Sequence, residues 1–252
     1  MTEFCEQLNP RVLAVLSNEI SNERTRSMCP TAAMQRIQES WVAPAEKRLL
    51  LWLAARTPEQ ITPDHLTALG LAAQVGAGAS YALAARSRYG LLAVIACLVL
   101  NWLGDSLDGT LARVRQCQRP RYGFYVDHMV DSFGALALMG GLALSGYMQP
   151  WIATGLLVAF LMLSVQSYLA THALGEFRIS FWRFGPTELR LLLAVGSLAL
   201  FWKPTLHLFV GQCRYRLFDV GGAIGLAGMG LMLIVFTLQN TARLYREERI
   251  PR

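Results

Sequence analysis

Six apolar stretches, joined by short polar segments, dominate this chain. They cover 63–85, 91–114, 122–148, 151–174, 186–202 and 220–242. Each is close to the about 20 residues that a helix needs to cross a bilayer. Because the backbone of a spanning segment must satisfy its own hydrogen bonds in lipid, we predict an all-α membrane protein with six transmembrane helices. The composition agrees, since only 16% of the residues are charged and a soluble domain has about 25%.

An amphipathic segment precedes the first apolar stretch. Its leucines, tryptophan and basic residues are typical of a helix that lies in the membrane interface. Thr62 and Pro63 then provide an N-cap and a first-turn proline, so the first spanning helix is expected to begin there. The N-terminal part lacks the apolar core of a secretory signal peptide. The predicted organisation is a polar cytoplasmic segment at 1–42, an interfacial helix at 43–57, a transmembrane domain at 63–243 and a basic cytoplasmic tail at 244–252.

The distribution of Lys and Arg predicts the orientation in the membrane. With a cytoplasmic N-terminus, 18 of the 23 Lys and Arg residues lie on the cytoplasmic side of the six spans. Such an excess is characteristic of cytoplasmic loops. We therefore expect a multi-pass protein with both termini in the cytoplasm, in the inner membrane if the source is bacterial. The net charge of +6 is then explained by contact with anionic membrane lipids, and we do not expect nucleic acid as a partner.

Four aspartates lie where a membrane protein normally has apolar residues. Asp105 and Asp108 come near the end of the second stretch, and Asp127 and Asp131 near the start of the third. An aspartate at the centre of a membrane costs about 2.5–3.5 kcal/mol on insertion scales, and neighbouring like charges repel each other. Protonation, basic partners or bound cations can stabilise such a group.

Helical geometry places these aspartates on two matching faces. At about 100° per residue, each pair falls within an arc of about 100° or less, together with small residues. The first face carries Asp105, Asp108, Gly109 and Ala112, and the second carries Gly123, Asp127, Asp131 and Gly134. Both faces can point into one groove, and the small residues leave room for a ligand beside the backbone.

The donor set favours a hard divalent cation. Oxygen-only ligands suit Mg²⁺, Mn²⁺ or Ca²⁺, and four carboxylates can hold two such ions against phosphoryl oxygens. The arginine-rich segment 113–121 beside them suits phosphate. The cysteines are scattered without a CxxC pair, so neither a zinc site nor a disulfide framework is expected. The alternatives are helix-end acids paired with Arg113 and Arg115, or a proton or cation pathway.

The spacing of these residues resembles the signature of the CDP-alcohol phosphotransferases, which are integral membrane enzymes of phospholipid synthesis. The signature here reads Asp105-x-x-Asp108-Gly109-x-x-Ala112-Arg113, followed by Gly123-x-x-x-Asp127-x-x-x-Asp131. The likeness extends from about residue 43 to the last apolar stretch. Two features depart from the family pattern. The interval between Arg113 and Gly123 is one residue longer than is common, and Asp64 stands where many members have asparagine.

The resemblance implies roles for the residues of the signature. Asp105, Asp108 and Asp127 would be metal ligands, and Asp131 would complete a site for two divalent cations, Mg²⁺ or Mn²⁺, and act as the general base. The nucleotide would lie beside three small residues, with one arginine on its phosphates. These residues are Gly109, Ala112, Gly123 and Arg113. The implied reaction is attack by an alcohol hydroxyl on the diphosphate of a CDP-linked donor, with release of CMP.

Two further segments bear on the donor and the acceptor. The run DHMVDS around His128 resembles that of eukaryotic choline and ethanolamine phosphotransferases, in which the histidine is a candidate base. Alternatively, His128 is a helix-end residue bound to a carbonyl or an acid. Arg178, Arg183 and Arg190 are either cytoplasmic anchors or ligands for an acceptor phosphate. The donor is thus CDP-diacylglycerol or a CDP-alcohol, and the acceptor an alcohol or a lipid.

Two other functions compete with this one. A membrane prenyltransferase also holds a diphosphate through aspartates and Mg²⁺, but Gly109 stands where its first motif needs an acid. A cation or proton transporter would use the acids but does not account for the Gly-x-x-Ala-Arg pattern. Finally, Gly221 and Gly225, four residues apart, predict close helix packing, within the chain or between two copies in a homodimer.

Overall fold

The computed structural model describes residues 43–174, 186–203, 207–210 and 213–248. In chain order they form α1 (Ala43–Arg56), α2 (Pro63–Ala84), α3 (Tyr89–Val114), α4 (Pro120–Leu144), α5 (Pro150–Leu174), α6 (Pro186–Trp202), β1 (His207–Val210), β2 (Cys213–Arg216) and α7 (Leu217–Glu247). The strands make one antiparallel pair, with His207 opposite Arg216. The predicted helical architecture is confirmed apart from this hairpin. The predicted segment 1–42, Arg178 and Arg183 lie outside the described residues.

Four of the described helices, α2, α3, α5 and α7, are long and apolar enough to cross a membrane. Their outward faces carry large apolar side chains such as Leu83, Leu169 and Leu231, which are more than half exposed. Contiguous exposed apolar surface of this kind is typical of membrane contact. Helices α4 and α6 are not among the four. Helix α4 contains Asp127 and Asp131, and helix α6 has only 17 residues. The six-span count therefore stays a prediction.

Helix α2 begins where the sequence predicts. Thr62 is its N-cap and Pro63 its first residue. The Thr62 hydroxyl accepts a hydrogen bond from the His65 backbone N–H at 3.3 Å, and His65 Nδ1 accepts one from the Thr62 N–H at 3.3 Å. This reciprocal pair satisfies two backbone donors that the first turn of a helix leaves unpaired.

Helix α2 lies between α3 and α4 and packs closely on both. A side-chain carbon at Gly104 of α3 would overlap the backbone of Leu66 and Gly70 in α2. Likewise, a side-chain carbon at Gly141 of α4 would overlap the backbone of Gly78. Helices in membranes associate through such small residues. Helices α3 and α4 pack mainly on α2 rather than on each other, so a groove can form between them.

Helix α1 is attached to α3 by hydrogen bonds and apolar contacts. Glu46 Oε1 accepts hydrogen bonds from Trp102 Nε1 at 2.7 Å and from Ser106 Oγ at 3.3 Å. Leu50 is buried against α3, whereas Trp52 is exposed and carries the guanidinium of Arg56 over its ring, 3.9 Å from the centroid. An outward tryptophan and arginine suit a membrane interface. The interfacial position itself stays a prediction.

Helix α4 ends earlier than the apolar pattern predicts. It stops at Leu144, whereas the apolar stretch continues to Met148. The Ser145 hydroxyl donates to the Leu142 carbonyl at 2.6 Å, and Gly146 has a φ of 75°. This left-handed conformation is readily adopted by glycine and commonly follows a helix end. The backbone therefore turns here before α5.

The glycines of α7 do not all pack. A side-chain carbon at Gly222 would overlap Ile152 of α5, and one at Gly225 would contact Leu156 at 3.4 Å. One at Gly221 would meet nothing within 4 Å. The packed face of α7 is therefore formed by Gly222 and Gly225 rather than by the expected Gly221 and Gly225.

The crossing of α2 and α4 gives a matched test of packing. We expect Gly141→Ala to destabilise the protein by about 1–3 kcal/mol, because the added methyl group must displace the α2 backbone. Gly140→Ala should be neutral or slightly stabilising, since a side-chain carbon there meets nothing within 4 Å and alanine favours a helix. Thermal unfolding in detergent measures both variants. Equal stability of the two would contradict the tight crossing.

Candidate active site

The four motif aspartates lie together in the structure. Asp105 and Asp108 are in the C-terminal part of α3, and Asp127 and Asp131 are in the N-terminal part of the next helix, α4. Asp131 interacts electrostatically with the other three, and Asp108 interacts with Asp105 and Asp127. We call these four residues the acid cluster.

Asp108 is the best-anchored member of the cluster. It is 8% exposed. Its Oδ2 accepts a hydrogen bond from the Thr67 hydroxyl of α2 at 2.6 Å, and its Oδ1 accepts one from the backbone N–H of Gly109 at 2.5 Å. Both carboxyl oxygens are thus oriented by protein donors, and helix α2 contributes one of them.

Asp105 forms an ion pair with an arginine of α6. Arg190 Nη2 donates to Asp105 Oδ2 at 2.5 Å, and the side chains are 14% and 39% exposed, respectively. Arg190 also interacts electrostatically with Asp131. From the sequence, Arg190 is expected to be a cytoplasmic anchor or a phosphate ligand. The pairing was missed because 85 residues separate the partners and only the packing of α6 on α3 brings them together.

The arginines closer in sequence make other contacts. Arg115 donates to the carbonyls of Thr57, Pro58 and Ile61 at distances of 2.5–3.0 Å, so it holds the segment between α1 and α2. Arg113 Nη2 donates to Thr110 Oγ1 at 3.2 Å. The alternative in which Arg115 pairs with the aspartates is therefore wrong for this structure.

The small residues of the motif border open space. A side-chain carbon at Gly109 or at Gly123 would meet nothing within 4 Å, and Ala112 is partly exposed. Gly134, the last residue of the second acidic face, differs because a side chain there would overlap Gln74 of α2. Room for a ligand therefore exists beside Gly109 and Gly123, and the face closes at Gly134.

Aromatic rings enclose His128. Its ring lies 4.2 Å from that of Phe124 and 4.8 Å from that of Tyr168, measured between centroids. Tyr168 comes from α5 and interacts electrostatically with Asp131. The sequence offered no signal for Tyr168, because it stands in an apolar helix without a motif.

A second ion pair lies at the ends of α2 and α4. Arg119 donates to both carboxyl oxygens of Asp64, at 2.5 and 2.6 Å, and its guanidinium lies over the ring of Tyr122, 4.2 Å from the centroid. The hydrogen bond to Asp64 raises the pKa of the Arg119 guanidinium, so this residue stays charged. Asp64 thus has a partner within the chain at the position where many family members have asparagine.

The acid cluster suits a divalent cation in chemistry and charge, but its carboxylates already bind protein donors. Among the described residues, no group of three or more His, Cys, Asp or Glu side chains is arranged to hold a metal ion. In this structure, Arg190 binds Asp105, and both oxygens of Asp108 accept hydrogen bonds. Oxygen donors with excess negative charge are what Mg²⁺ and Mn²⁺ prefer. The residues fit such ions, because each Asp108 oxygen keeps a lone pair beside its hydrogen bond and Asp105 can exchange its ion pair with Arg190 for a metal.

A comparison with known families decides the classification. A family model described as CDP-alcohol phosphatidyltransferase matches residues 60–238, which include helices α2 to α6 and the whole acid cluster. The chain belongs to this family. No curated protein sequence matches it. Membership implies a membrane transferase that uses a CDP-linked donor and an alcohol acceptor, and the family generally depends on divalent metal ions.

The anchoring of Asp108 can be tested in this family member without substrate. We expect Thr67→Val to lower stability by about 1–3 kcal/mol, because a buried acceptor loses its donor, and Thr67→Ser to stay near the wild type. Thr171→Val is the control, since the Thr171 hydroxyl donates to the carbonyl of Ser167 in the same helix. Thermal unfolding in detergent measures all three variants. A Thr67→Val effect no larger than that of Thr171→Val would disprove the anchoring role.

Proposed function

We propose that this chain is a transferase of phospholipid biosynthesis that moves a substituted phosphate group, phosphatidyl or phospho-alcohol, from a CDP-linked donor to an alcohol hydroxyl. CMP is the leaving group. The observation that carries the proposal is the grouping of Asp105, Asp108, Asp127 and Asp131 in one cluster beside open space at Gly109 and Gly123. Both features belong to the matched family region.

The acid cluster would hold two divalent cations, Mg²⁺ or Mn²⁺. Asp105, Asp108 and Asp127 are the proposed ligands, and Asp131 completes the site. When bound, such ions offset negative charge on the diphosphate and on the leaving oxygen. The hydrogen bond from Thr67 and the backbone N–H of Gly109 hold the carboxylate of Asp108 in a defined orientation, which limits the rearrangement that binding requires.

The remaining motif residues would position the donor. Gly109, Ala112 and Gly123 border the proposed nucleotide site, where small or absent side chains let the nucleotide approach the backbone. Arg113 would hold its phosphates, since a guanidinium forms paired hydrogen bonds with phosphate oxygens. Positioning and electrostatics of this kind supply most of the catalysis in phosphoryl transfer.

The reaction needs a base for the acceptor hydroxyl. In the proposed step, the hydroxyl oxygen bonds to the donor phosphorus, the bond from that phosphorus to CMP breaks, and the hydroxyl proton passes to Asp131. His128 is the alternative base, since it lies about 60° from Asp131 around the helix and its ring is held by Phe124 and Tyr168. The donor would be CDP-diacylglycerol with an alcohol acceptor, or a CDP-alcohol with a lipid acceptor.

The proposed membrane arrangement has six spans, α2 to α7, with α1 in the interface and both termini in the cytoplasm. Helix α4 packs on α2 and α5, and α6 packs on α3. All three partners are membrane-capable, which supports placing α4 and α6 in the bilayer with them. The exposed apolar face of α7, with Ile224 and Leu238, would contact lipid or a second copy in a homodimer.

The proposed roles of the acids predict loss of turnover on substitution. Asp105→Ala and Asp131→Ala should each reduce turnover to background, because a ligand or the base is lost, while the protein still inserts. Asp64→Ala is the control, since its partner is Arg119 at the helix ends. Membranes are incubated with labelled CDP-diacylglycerol or CDP-choline, divalent metal and candidate acceptors, and the lipid made and the CMP released are measured. An active Asp105→Ala or Asp131→Ala variant would refute the assignment.

The two alternative functions have their own tests. Cation flux in liposomes without nucleotide turnover would favour a transporter. Release of diphosphate from a prenyl donor would favour a prenyltransferase.

The open space at Gly109 predicts a defect that affects activity alone. We expect Gly109→Ala to keep the wild-type melting temperature but to lower kcat/KM by about tenfold, equivalent to about 1.4 kcal/mol, because its methyl group enters the space proposed for the nucleotide. Gly140→Ala is the control, since that position also borders open space but lies far along α4 from the acid cluster. Unchanged kcat/KM in Gly109→Ala would argue against this nucleotide position.

A further inference from the structure

The structure brings a basic side chain of the protein itself into the acid cluster. Arg190 Nη2 lies 2.5 Å from Asp105 Oδ2, and its charge also acts on Asp131. Its side chain is only 14% exposed. A guanidinium from α6 therefore contributes positive charge to a group of acids that belongs to α3 and α4.

The position of Arg190 has a direct electrostatic consequence. Arginine stays protonated in proteins, and a charge-assisted hydrogen bond to a carboxylate is stronger than a neutral one. A divalent cation at the same carboxylate would lie close to this guanidinium, and the two positive charges would repel. Each therefore lowers the affinity of Asp105 for the other, and by linkage the two effects are equal in free energy.

We propose that Arg190 is a built-in competitor of the divalent cation at Asp105, so that metal binding requires the guanidinium to leave this carboxylate. The inference rests on the proposed function to the extent that the acid cluster holds divalent cations. Arg190 is thus a positioning residue: it offsets the charge of the acids when no metal is bound, and it sets how tightly the metal binds.

Two other described arginines near the ends of α3 and α4, Arg115 and Arg119, have different partners. Arg115 binds backbone carbonyls between α1 and α2. Arg119 binds Asp64, and the groups that act on it do not include a member of the acid cluster. Arg119 therefore provides a matched control, since its replacement removes the same charge from an exposed ion pair elsewhere in the same chain.

Metal affinity measures the proposed competition directly. The full chain is purified in detergent, stripped with EDTA and titrated with Mn²⁺, with unbound Mn²⁺ followed by electron paramagnetic resonance. We expect Arg190→Gln to bind Mn²⁺ about three- to tenfold more tightly than the wild type, because the substitution removes the charge-assisted contact that competes with the metal. The effect is no larger because solvent partly screens the charge of Asp105, which is partly exposed. Arg190→Lys, which keeps the charge, should stay closer to the wild type, and Arg119→Gln should equal it.

Thermal unfolding provides a second readout that does not need turnover. In EDTA, Arg190→Gln should melt at a lower temperature than the wild type, because the acids lose their counter-charge. Added Mn²⁺ should raise its melting temperature by more than that of the wild type, since stabilisation grows with affinity at a given metal concentration. If Arg190→Gln does not fold, the accessibility of Arg190 is measured in the wild-type protein instead. The protein is treated with phenylglyoxal, which modifies arginine, and the labelling of Arg190 is followed by mass spectrometry. Arg190 should then be labelled faster with Mn²⁺ than without.

The outcomes separate this inference from the proposed function. The wild type binds Mn²⁺ in one such outcome, Asp127→Ala loses this binding, and Arg190→Gln binds Mn²⁺ with unchanged or weaker affinity. That result would overturn the competition but would still support the metal site. Labelling of Arg190 that does not change with Mn²⁺ would do the same. No Mn²⁺ binding by the wild type or any variant would overturn both the competition and the metal-dependent function.

Discussion

The close approach of α2 to both acid-bearing helices is the constraint on which the rest of the structure depends. At Gly104 and at Gly141, one backbone lies directly against another with no side chain between them. Next to the first crossing, Asn101 Nδ2 donates to the carbonyl of Gly70 at 2.9 Å, a polar contact that also fixes the register of the helices. Because α3 and α4 each pack on α2, their facing sides remain available for a site rather than being used for mutual packing.

This arrangement also explains how a membrane bundle retains Asp105 and Asp108. Asp108 is the most buried of them and receives a hydrogen bond from α2, whereas Asp105 is partly exposed and receives a guanidinium from α6. A buried carboxylate without such partners would be strongly destabilising. The same contacts that make the acids tolerable engage the oxygens that the proposed metal ions need. The stability of the bundle and the binding of the proposed metal ions therefore oppose each other at Asp105, where a guanidinium occupies the carboxylate.

Local signals in the sequence predicted the local structure well. The cap at Thr62 and the proline at position 63 located the start of α2, and the motif spacing located both acidic faces. Contacts between distant segments were not predictable in this way. The partners of Asp105 and Asp64, Arg190 and Arg119, stand 85 and 55 residues away in sequence, and periodicity carries no information about which helices become neighbours. The end of α4 was predicted too late for a local reason, because apolar residues continue past the turn at Gly146.

The glycines show most clearly what the fold adds to the sequence. Gly104 and Gly109 stand on the same helix five residues apart, and their residue type alone does not distinguish a packing position from one that leaves room for a ligand. In the structure, a side chain at Gly104 would strike the backbone of α2, whereas one at Gly109 would enter open space beside the acid cluster. The first glycine is thus required by the folded chain. The second has no packing reason to be glycine, and the proposed approach of a nucleotide to the backbone would supply a different reason. This difference links the helix crossing that builds the groove to the chemistry proposed within it.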